Sequence, residues 1–483
     1  MPRDYSVAMT DGVDAVLRTH LIRQDRQEDL SFALWSPSGG TSRMTALVHT
    51  VVLPEAGDRQ IHGNVSFAQQ YVERVCRFAL AEGVGIAFLH SHPFPGWQHM
   101  SEDDVVAEQR LAGPALSLTG LPLVGLTVGS DGTWSARAWE HARGREYARR
   151  WAESVRVVGA QLKTSYAKDL LPRPVFREMF KRTVSVWGSE AHSDLARLRV
   201  GIVGLGSVGA LVAESLARMG LTRFVLIDFD RVEPHNLDRL VTATESDIGR
   251  LKVDVAEDRI RAIATAEHVD LRAVPFSVVE EAGYRAALDC DVIFCCVDRP
   301  RARHIVNHIA YAHLIPIIDG GIGVRFKNRR FSGVDWQVQT VGPGRPCLEC
   351  LGSYDSGDVA TETAGMLDDP TYLGGLADDH RFKRNENVFP FSANLASLKV
   401  LQLIALTTGA GGVTDFGVQR YRYWPGIVEQ LPVSSCRPEC ERHALVAQGD
   451  KHFSLLGRDV AAERSRMDPS TRGIYVKAVP TQR

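Results

Sequence analysis

The sequence predicts an α/β protein of two domains, a compact mixed unit followed by a doubly wound parallel sheet. Three observations carry that expectation. At 483 residues the chain exceeds what one hydrophobic core ordinarily organises, so two or three domains are expected. Up to Trp139, short strand-like runs (Leu30 to Trp35, Thr45 to Leu53, Gly85 to Leu89, Leu121 to Val128) mix with helical stretches such as Phe67 to Ala81. Past Leu195 the order becomes strand, glycine loop, helix and strand, the alternation of a parallel sheet with helices on both faces.

Between these units Trp151, Val155, Val158 and Leu162 fall at helical spacing amid arginines and lysines, so a helical connector is expected, broken at Pro172 and Pro174. The predicted boundaries are 1–142 for the first domain, 143–185 for the connector, 186–446 for the second domain and 447–483 for a polar, loosely ordered tail. Hydrophobic residues make up 44% and charged ones 24%, with a net charge of −2. That balance fits a soluble globular protein without the basic excess that nucleic-acid binding needs. No apolar run approaches a membrane span and the start lacks a signal-peptide pattern, so a cytoplasmic protein with no membrane partner is expected. Eight cysteines are too few for a disulfide framework in a chain this long, and four of them form two tight pairs suited to metal.

GVGIAFLHSHP reads as a buried strand, and residues two apart on a strand share a face, so His90 and His92 point the same way. Ser101 to Asp104 fits S-x-x-D, a helix N-cap with an acid at the third helical position. Read plainly, this is a strand end followed by a capped helix. Read as chemistry, Asp104 adds a carboxylate to two converging imidazoles. Zinc would then have three protein ligands and a fourth position left for water, the arrangement of a catalytic site.

Leu198 to Val203 reads as an apolar strand leading into GLGSVG, where Gly204, Gly206 and Gly209 open a helix carrying Leu211, Val212 and Leu216. Such a loop lets backbone approach phosphate at a helix N-terminus, a feature that dehydrogenases share. RFVLIDFD ends with Asp228 where a ribose-binding acid belongs. Asn236, Arg239, Lys252 and Asp298 follow, and hydride transfer has little use for them. Driving a carboxylate onto the α-phosphate of ATP does need cations for the phosphates and an acid for magnesium. Ordinary surface charge around a nucleotide fold is the plain alternative. Cys347 and Cys350 in GRPCLEC have the spacing to grip one zinc from a tight turn, with Cys436 and Cys440 as the other half and a redox pair as the alternative. Cys76, Cys290, Cys295 and Cys296 read as core residues, and His62 and His99 as surface histidines.

Two resemblances follow from these residues. H-x-H-P, seven residues, then S-x-x-D, filled by His90, His92, Pro93, Ser101 and Asp104, resembles the JAB/MPN (JAMM) zinc metalloproteases, whose domain is a cytidine-deaminase-like α/β fold. That resemblance implies cleavage after the C-terminal glycine of a ubiquitin-like protein by a metal-activated water. It also implies Glu28 as general base, in preference to Glu55, and Ser101 as oxyanion donor. The set GLGSVG, DFD, N-L-x-R, G-x-x-K and C-C-V-D resembles the ThiF/MoeB family, the Rossmann-like adenylating core of ubiquitin-activating enzymes. It implies ribose at Asp228, phosphates at Asn236, Arg239 and Lys252, magnesium at Asp298, and a homodimer to which Arg182 would contribute across the interface. The family spaces its second cysteine pair by two residues; here three intervene.

Activating enzymes that form a thioester carry a loop cysteine, and matching SGDVATETAGMLDD to that loop puts Thr361 in its place. Either the reaction stops at the acyl-adenylate, or Thr361, with Thr363 second, takes the acyl group as an oxyester with help from a base. The resemblances together imply a bifunctional enzyme that processes and activates one ubiquitin-like modifier, with a conjugating enzyme as partner. Bacterial modification systems associated with antiphage defence encode such modules together. Activation and trimming of a sulfur-carrier protein is the rival pathway, and a non-catalytic scaffold that binds modifier is the rival class.

Overall fold

A computed structural model describes residues 4–467 apart from 63, 145, 176, 328–329, 378–379, 381, 383–385, 433–434 and 452–455, and the side chain of His62 also lies outside the described residues. The first half contains β1 (Asp4–Thr10), α1 (Asp11–Leu21), β2 (Leu30–Gly39), β3 (Arg43–Val52), β4 (Arg59–His62), β5 (Asn64–Phe67), α2 (Gln69–Glu82), β6 (Gly85–Ser91), α3 (Glu102–Thr119), β7 (Leu123–Val128), β8 (Trp134–Arg143), β9 (Glu146–Val158) and β10 (Leu162–Tyr166). Its main sheet runs β1-β3-β2-β6-β7-β8-β9-β10, and a further pairing of β1 with β9 closes it on itself. Every residue of β6 is buried. It lies antiparallel to β2 and parallel to β7, which accounts for its unbroken apolar run up to His90.

The expected helical connector is not formed over residues 146–166. Tyr147 to Trp151 of β9 pair with β8, and its later residues pair with β1 and β10. Helical spacing of Trp151, Val155, Val158 and Leu162 was a coincidence of a strand buried on both faces from Ala152 onward, where β-branched Val155, Val157 and Val158 favour extended backbone. The first half therefore reaches Tyr166 rather than residue 142, and DLLPRP is the break between the halves.

The second half begins with α4 (Lys181–Trp187) and α5 (Ser189–Arg197). It continues through β11 (Arg199–Val203), α6 (Ser207–Arg218), β12 (Arg223–Ile227), α7 (Lys252–Ile263), β13 (Asp270–Val274), α8 (Glu281–Ala287), β14 (Val292–Cys295), α9 (Pro300–Ala312), β15 (Ile317–Lys327) and β16 (Arg330–Val341). The last elements are α10 (Ser356–Thr363), α11 (Pro370–Gly375), α12 (Phe389–Thr408), β17 (Val418–Arg422), β18 (Ile427–Leu431) and α13 (Val460–Arg466). The sheet order is β13-β12-β11-β14-β15-β16-β17-β18. Its first five strands are parallel and its last three antiparallel. Helix α12 is long and apolar enough to cross a membrane, which corrects the expectation that no run approaches that length. It packs here on α6, β15 and β16, burying Leu395, Lys399, Leu403 and Leu406 among others. The tail is also anchored further than expected. The Gly39 amide and Arg285 donate to Asp450 at 3.0 and 3.1 Å, and Ala462 of α13 is fully buried; residues 468–483 lie outside the described residues.

The halves share a core, in which Ala8, Leu47, Val158 and Leu162 join the apolar cluster around β11 and α6. Beside it runs a buried ionic seam. Arg43 bonds Asp291 at 2.7 Å and Glu153 at 3.1 Å, Arg223 bonds Glu153 at 2.8 Å, and Arg156 reaches Asp291 at 3.4 Å. Replacing Arg43 with alanine takes one of two guanidinium partners from each of two buried carboxylates, and breaking a buried pair costs up to about 3–5 kcal/mol. A clear drop in the urea midpoint, greater than for the exposed Arg150→Ala, is expected.

Candidate functional site

At the end of β6, His90 and His92 do share a face, with ring centroids 4.9 Å apart. Helix α3 brings Asp104 to them: its two carboxylate oxygens lie 3.3 Å from the Nε2 atoms of His90 and His92. One ligand atom from each of the three residues falls within 4.8 Å of the others, close enough to share one ion. Ser101 caps α3 as the pattern predicts. The Asp104 amide donates to Ser101 Oγ at 3.2 Å, and the Ser101 amide donates to Asp104 Oδ2 at 2.8 Å. Capping thus fixes the orientation of the carboxylate that faces the imidazoles. Burial alone would raise Asp104, yet bonds from His90 and His92 outweigh it and hold the group well below the usual carboxylate range.

Glu28 stands just before β2 with Oε1 4.0 Å from His92 Nε2. Burial pushes its carboxyl up, against the pull of His92. Glu55 pairs with Arg74 instead. Several supporting residues escaped the sequence reading. Asp29 is buried, receives Arg59 at 2.6 Å, and its amide donates to Ser91 Oγ at 3.0 Å, which pins the backbone beside Glu28. Behind His90, Arg137 pairs with Glu108 in full burial and donates to Thr127 Oγ1 at 2.6 Å; that hydroxyl lies 3.3 Å from His90 Nε2. A buried acid and arginine at strand or helix spacing were the only cue, and spacing alone does not pair residues from separate elements.

The second cluster sits at the carboxyl ends of β11, β12 and β14, where open parallel sheets bind ligands. Gly204 has φ +91, and a Cβ there would meet Cys296 O at 2.6 Å; a Cβ on Gly209 would meet Gly204 O at 1.9 Å. Both therefore need glycine. Gly206 caps α6 and faces open space, leaving the first-turn amides accessible to an anion. Asp228 is buried and accepts from the Leu205 amide at 2.5 Å and the Asp230 amide at 2.7 Å. Burial, and then Asp230, push its carboxyl up to about 6.

Lys252 opens α7 and its Nζ lies 2.8 Å from Asp230 Oδ2. Burial would depress this amine, but Asp228, Asp230 and Asp298 outweigh burial and raise it above the usual range, so all three acids lie in its field. Asp230, two residues beyond Asp228 in DFD, is the partner that sequence reading missed. Arg239 donates to His235 O at 2.6 Å and to Asp238 at 2.7 Å, while Asn236 Oδ1 accepts from the Glu233 amide at 3.0 Å. Both belong to the turn before α7. Asp298 is exposed just past β14.

Arg182 is exposed on α4. Thr361 lies on α10, and its hydroxyl donates to Gly357 O at 2.8 Å; Thr363 likewise donates to Val359 O at 2.7 Å. Each hydroxyl thus serves its own helix rather than a base. The four cysteines converge despite the wider second spacing. Their sulfurs lie within 4.8 Å of one another, and the Cys347 amide donates to Cys436 Sγ at 3.1 Å. Burial pushes the Cys347 and Cys436 thiols up, against the pull of amide hydrogen bonds to their sulfurs, so zinc, which binds thiolate, would displace their protons.

Known proteins resemble the second half. A profile described as the ThiF family matches residues 180–442. The molybdopterin-synthase adenylyltransferase of Escherichia coli is 29% identical over 176 residues, 36% of this chain and 66% of that protein. The SAMP-activating enzyme E1 of Haloferax volcanii is 30% identical over 167 residues, 34% of this chain and 57% of its own. The sulfur carrier protein ThiS adenylyltransferase of Bacillus subtilis is 31% identical over 188 residues, 37% and 52% respectively. The chain thus spans between about half and two thirds of the length of these relatives. Among solved structures, E. coli MccB with succinimide aligns at TM-score 0.41 and 17% identity over 55% of this chain and 74% of that one. With more than half of its residues under that profile, the chain belongs to the ThiF family.

Proposed function

We propose that the second half adenylates the C-terminal glycine of a ubiquitin-like protein with ATP, and that the first half is a zinc-dependent peptidase acting on the same modifier. The observation that carries the first activity is Lys252, an ammonium held among Asp228, Asp230 and Asp298 beside the glycine loop. The reaction joins a terminal carboxylate to the α-phosphorus of ATP and releases pyrophosphate. Gly204 to Gly209 supply backbone amides to phosphate, and Asp228 accepts from the ribose hydroxyls. Lys252 leaves Asp230 to meet the triphosphate, where with Arg239 and Asn236 it stabilises charge on the leaving pyrophosphate. Asp298 would hold magnesium, which when bound would offset further phosphate charge.

ATP–pyrophosphate exchange dependent on a ubiquitin-like protein from the same genome tests this activity, and no exchange with any carrier ending in Gly-Gly would overturn it. Because Asp228 must be ionised to accept two hydroxyls, its raised position sets a pH dependence. As pH falls through about 6 the acceptor gains a proton, so KM for ATP should rise by about tenfold per pH unit below that point. Asp228→Asn should flatten the profile.

Three ligands of two imidazoles and one carboxylate fit zinc with a position to spare. Bound there, zinc supplies Lewis acidity toward a peptide carbonyl and toward water. Glu28 is placed to take the proton from water and return it to the leaving amine. Ser101 Oγ accepts from the Asp104 amide and keeps its O–H to donate to the developing oxyanion. The cysteine cluster would hold a structural zinc that ties residues 436–440 to the turn after β16. The homodimer with Arg182 at its interface, the conjugating enzyme and the cytoplasmic setting belong to the same reading.

A second reading keeps the chemistry and changes the pathway to sulfur-carrier activation. It is favoured by the lack of any cysteine between Cys350 and Cys436, which suits a reaction ending at the adenylate. Detection of a hydroxylamine-labile adduct that Thr361→Ala abolishes would instead favour an oxyester.

A further inference from the structure

Between the closed sheet and the parallel sheet lies a cavity of about 990 Å³, a volume suited to a cofactor-sized molecule. It is separate from both sites above, since neither the histidine cluster nor the glycine loop lines it. Its walls come from β9, from α5, and from the first residues of β11 and β12. Among the lining residues that are more than nine-tenths buried are Arg223 at 6% exposure, and His192 and Ser193 at 8% each. Arg223 Nη1, His192 Nδ1 and Ser193 Oγ each lack a hydrogen-bond partner among the described residues. Buried polar atoms without partners are costly, and three of them around one cavity point to a polar occupant.

The charge balance indicates its sign. Arg43, Arg156, Arg199 and Arg223 are buried beside the cavity with only Glu153 and Asp291 between them. Asp289 is already paired with Arg272 at 2.6 Å, while Asp4 and Asp270 are exposed. Two buried guanidinium charges are therefore left over. Arg199 reaches only Asp270, at 3.8 Å, and burial followed by repulsion from Arg223 depresses it. The rest of the wall is mixed: Trp151, Leu171 and Phe180 give it an apolar stretch, and Arg173, Arg177 and Arg197 add further guanidinium groups.

We propose that this cavity binds a small organic phosphate monoester, its dianionic head on Arg199 and Arg223 and its apolar body against Trp151 and Phe180. Planar guanidinium forks match phosphate oxygens in pairs, and a doubly charged head equals the buried excess. Calorimetric titration of phenyl phosphate into the full chain tests it. One saturable site is expected, with phenol at least about tenfold weaker. Arg199→Gln should weaken phenyl phosphate by at least about tenfold, and its circular dichroism should match the parent because the one side chain that Arg199 reaches, Asp270, is exposed and 3.8 Å away. Ser193→Trp, which fills the cavity, should do the same. Binding that survives both variants but is lost in Lys252→Ala belongs to the glycine loop and overturns the proposal. So does equal binding of phenol, or no saturable binding at all.

Discussion

Lys252→Ala should lower modifier-dependent ATP–pyrophosphate exchange by at least about 100-fold, the scale at which removal of one preorganised donor to developing charge is felt. The amine is 2.8 Å from Asp230 and lies in the field of Asp228 and Asp298. Its loss therefore has two effects: phosphate loses a cation, and three acids are left to repel the triphosphate. Arg239, engaged by His235 O and Asp238 at the rim, does not replace it. Lys252→Arg should recover only part of the rate, because a planar fork does not reproduce the reach of an ammonium. Exchange that remains near the parent level in Lys252→Ala would remove this residue from the chemistry.

The other large effect is expected at the histidine cluster. His92→Ala takes away one of the three candidate ligands and leaves Asp104 facing His90 alone. Zinc measured by elemental analysis should fall from about two ions per chain to one, the remaining ion being held by Cys347, Cys350, Cys436 and Cys440. Trimming of a modifier precursor should fall by at least about 1,000-fold, as expected when the metal that activates water is lost. Pyrophosphate exchange should persist. A parent protein carrying one zinc, or trimming undiminished by the substitution, would refute the peptidase.

Local pattern made much of the geometry of both candidate sites legible. Alternation on β6 put His90 and His92 on one face, and S-x-x-D put Asp104 in the first turn of α3. The parallel sheet was readable because its strands and helices alternate at fixed periods around a glycine loop. Cysteine spacing worked for a similar reason, although three residues rather than two separate Cys436 from Cys440. What stayed hidden depended on contacts between distant elements. β9 looked helical because a strand buried on both faces loses its alternation, and neither β1 nor β10 announces itself as its partner. Arg137 with Glu108 and Arg43 with Asp291 join residues 29 and 248 positions apart, where no periodicity operates. The anchored tail followed the same rule, since Asp450 finds its donors on Gly39 and Arg285.

The seam of Arg43, Glu153, Arg156, Arg223 and Asp291 bears on how the polypeptide can be dissected. Cutting the polypeptide between Tyr166 and Lys181 would leave Arg43 and Arg156 with Glu153 alone on one side, and on the other Arg223 parted from its acid and Asp291 parted from its two guanidinium groups, each newly hydrated. Dissecting the protein by truncation at that point would report on two halves that each lack ions the other supplies.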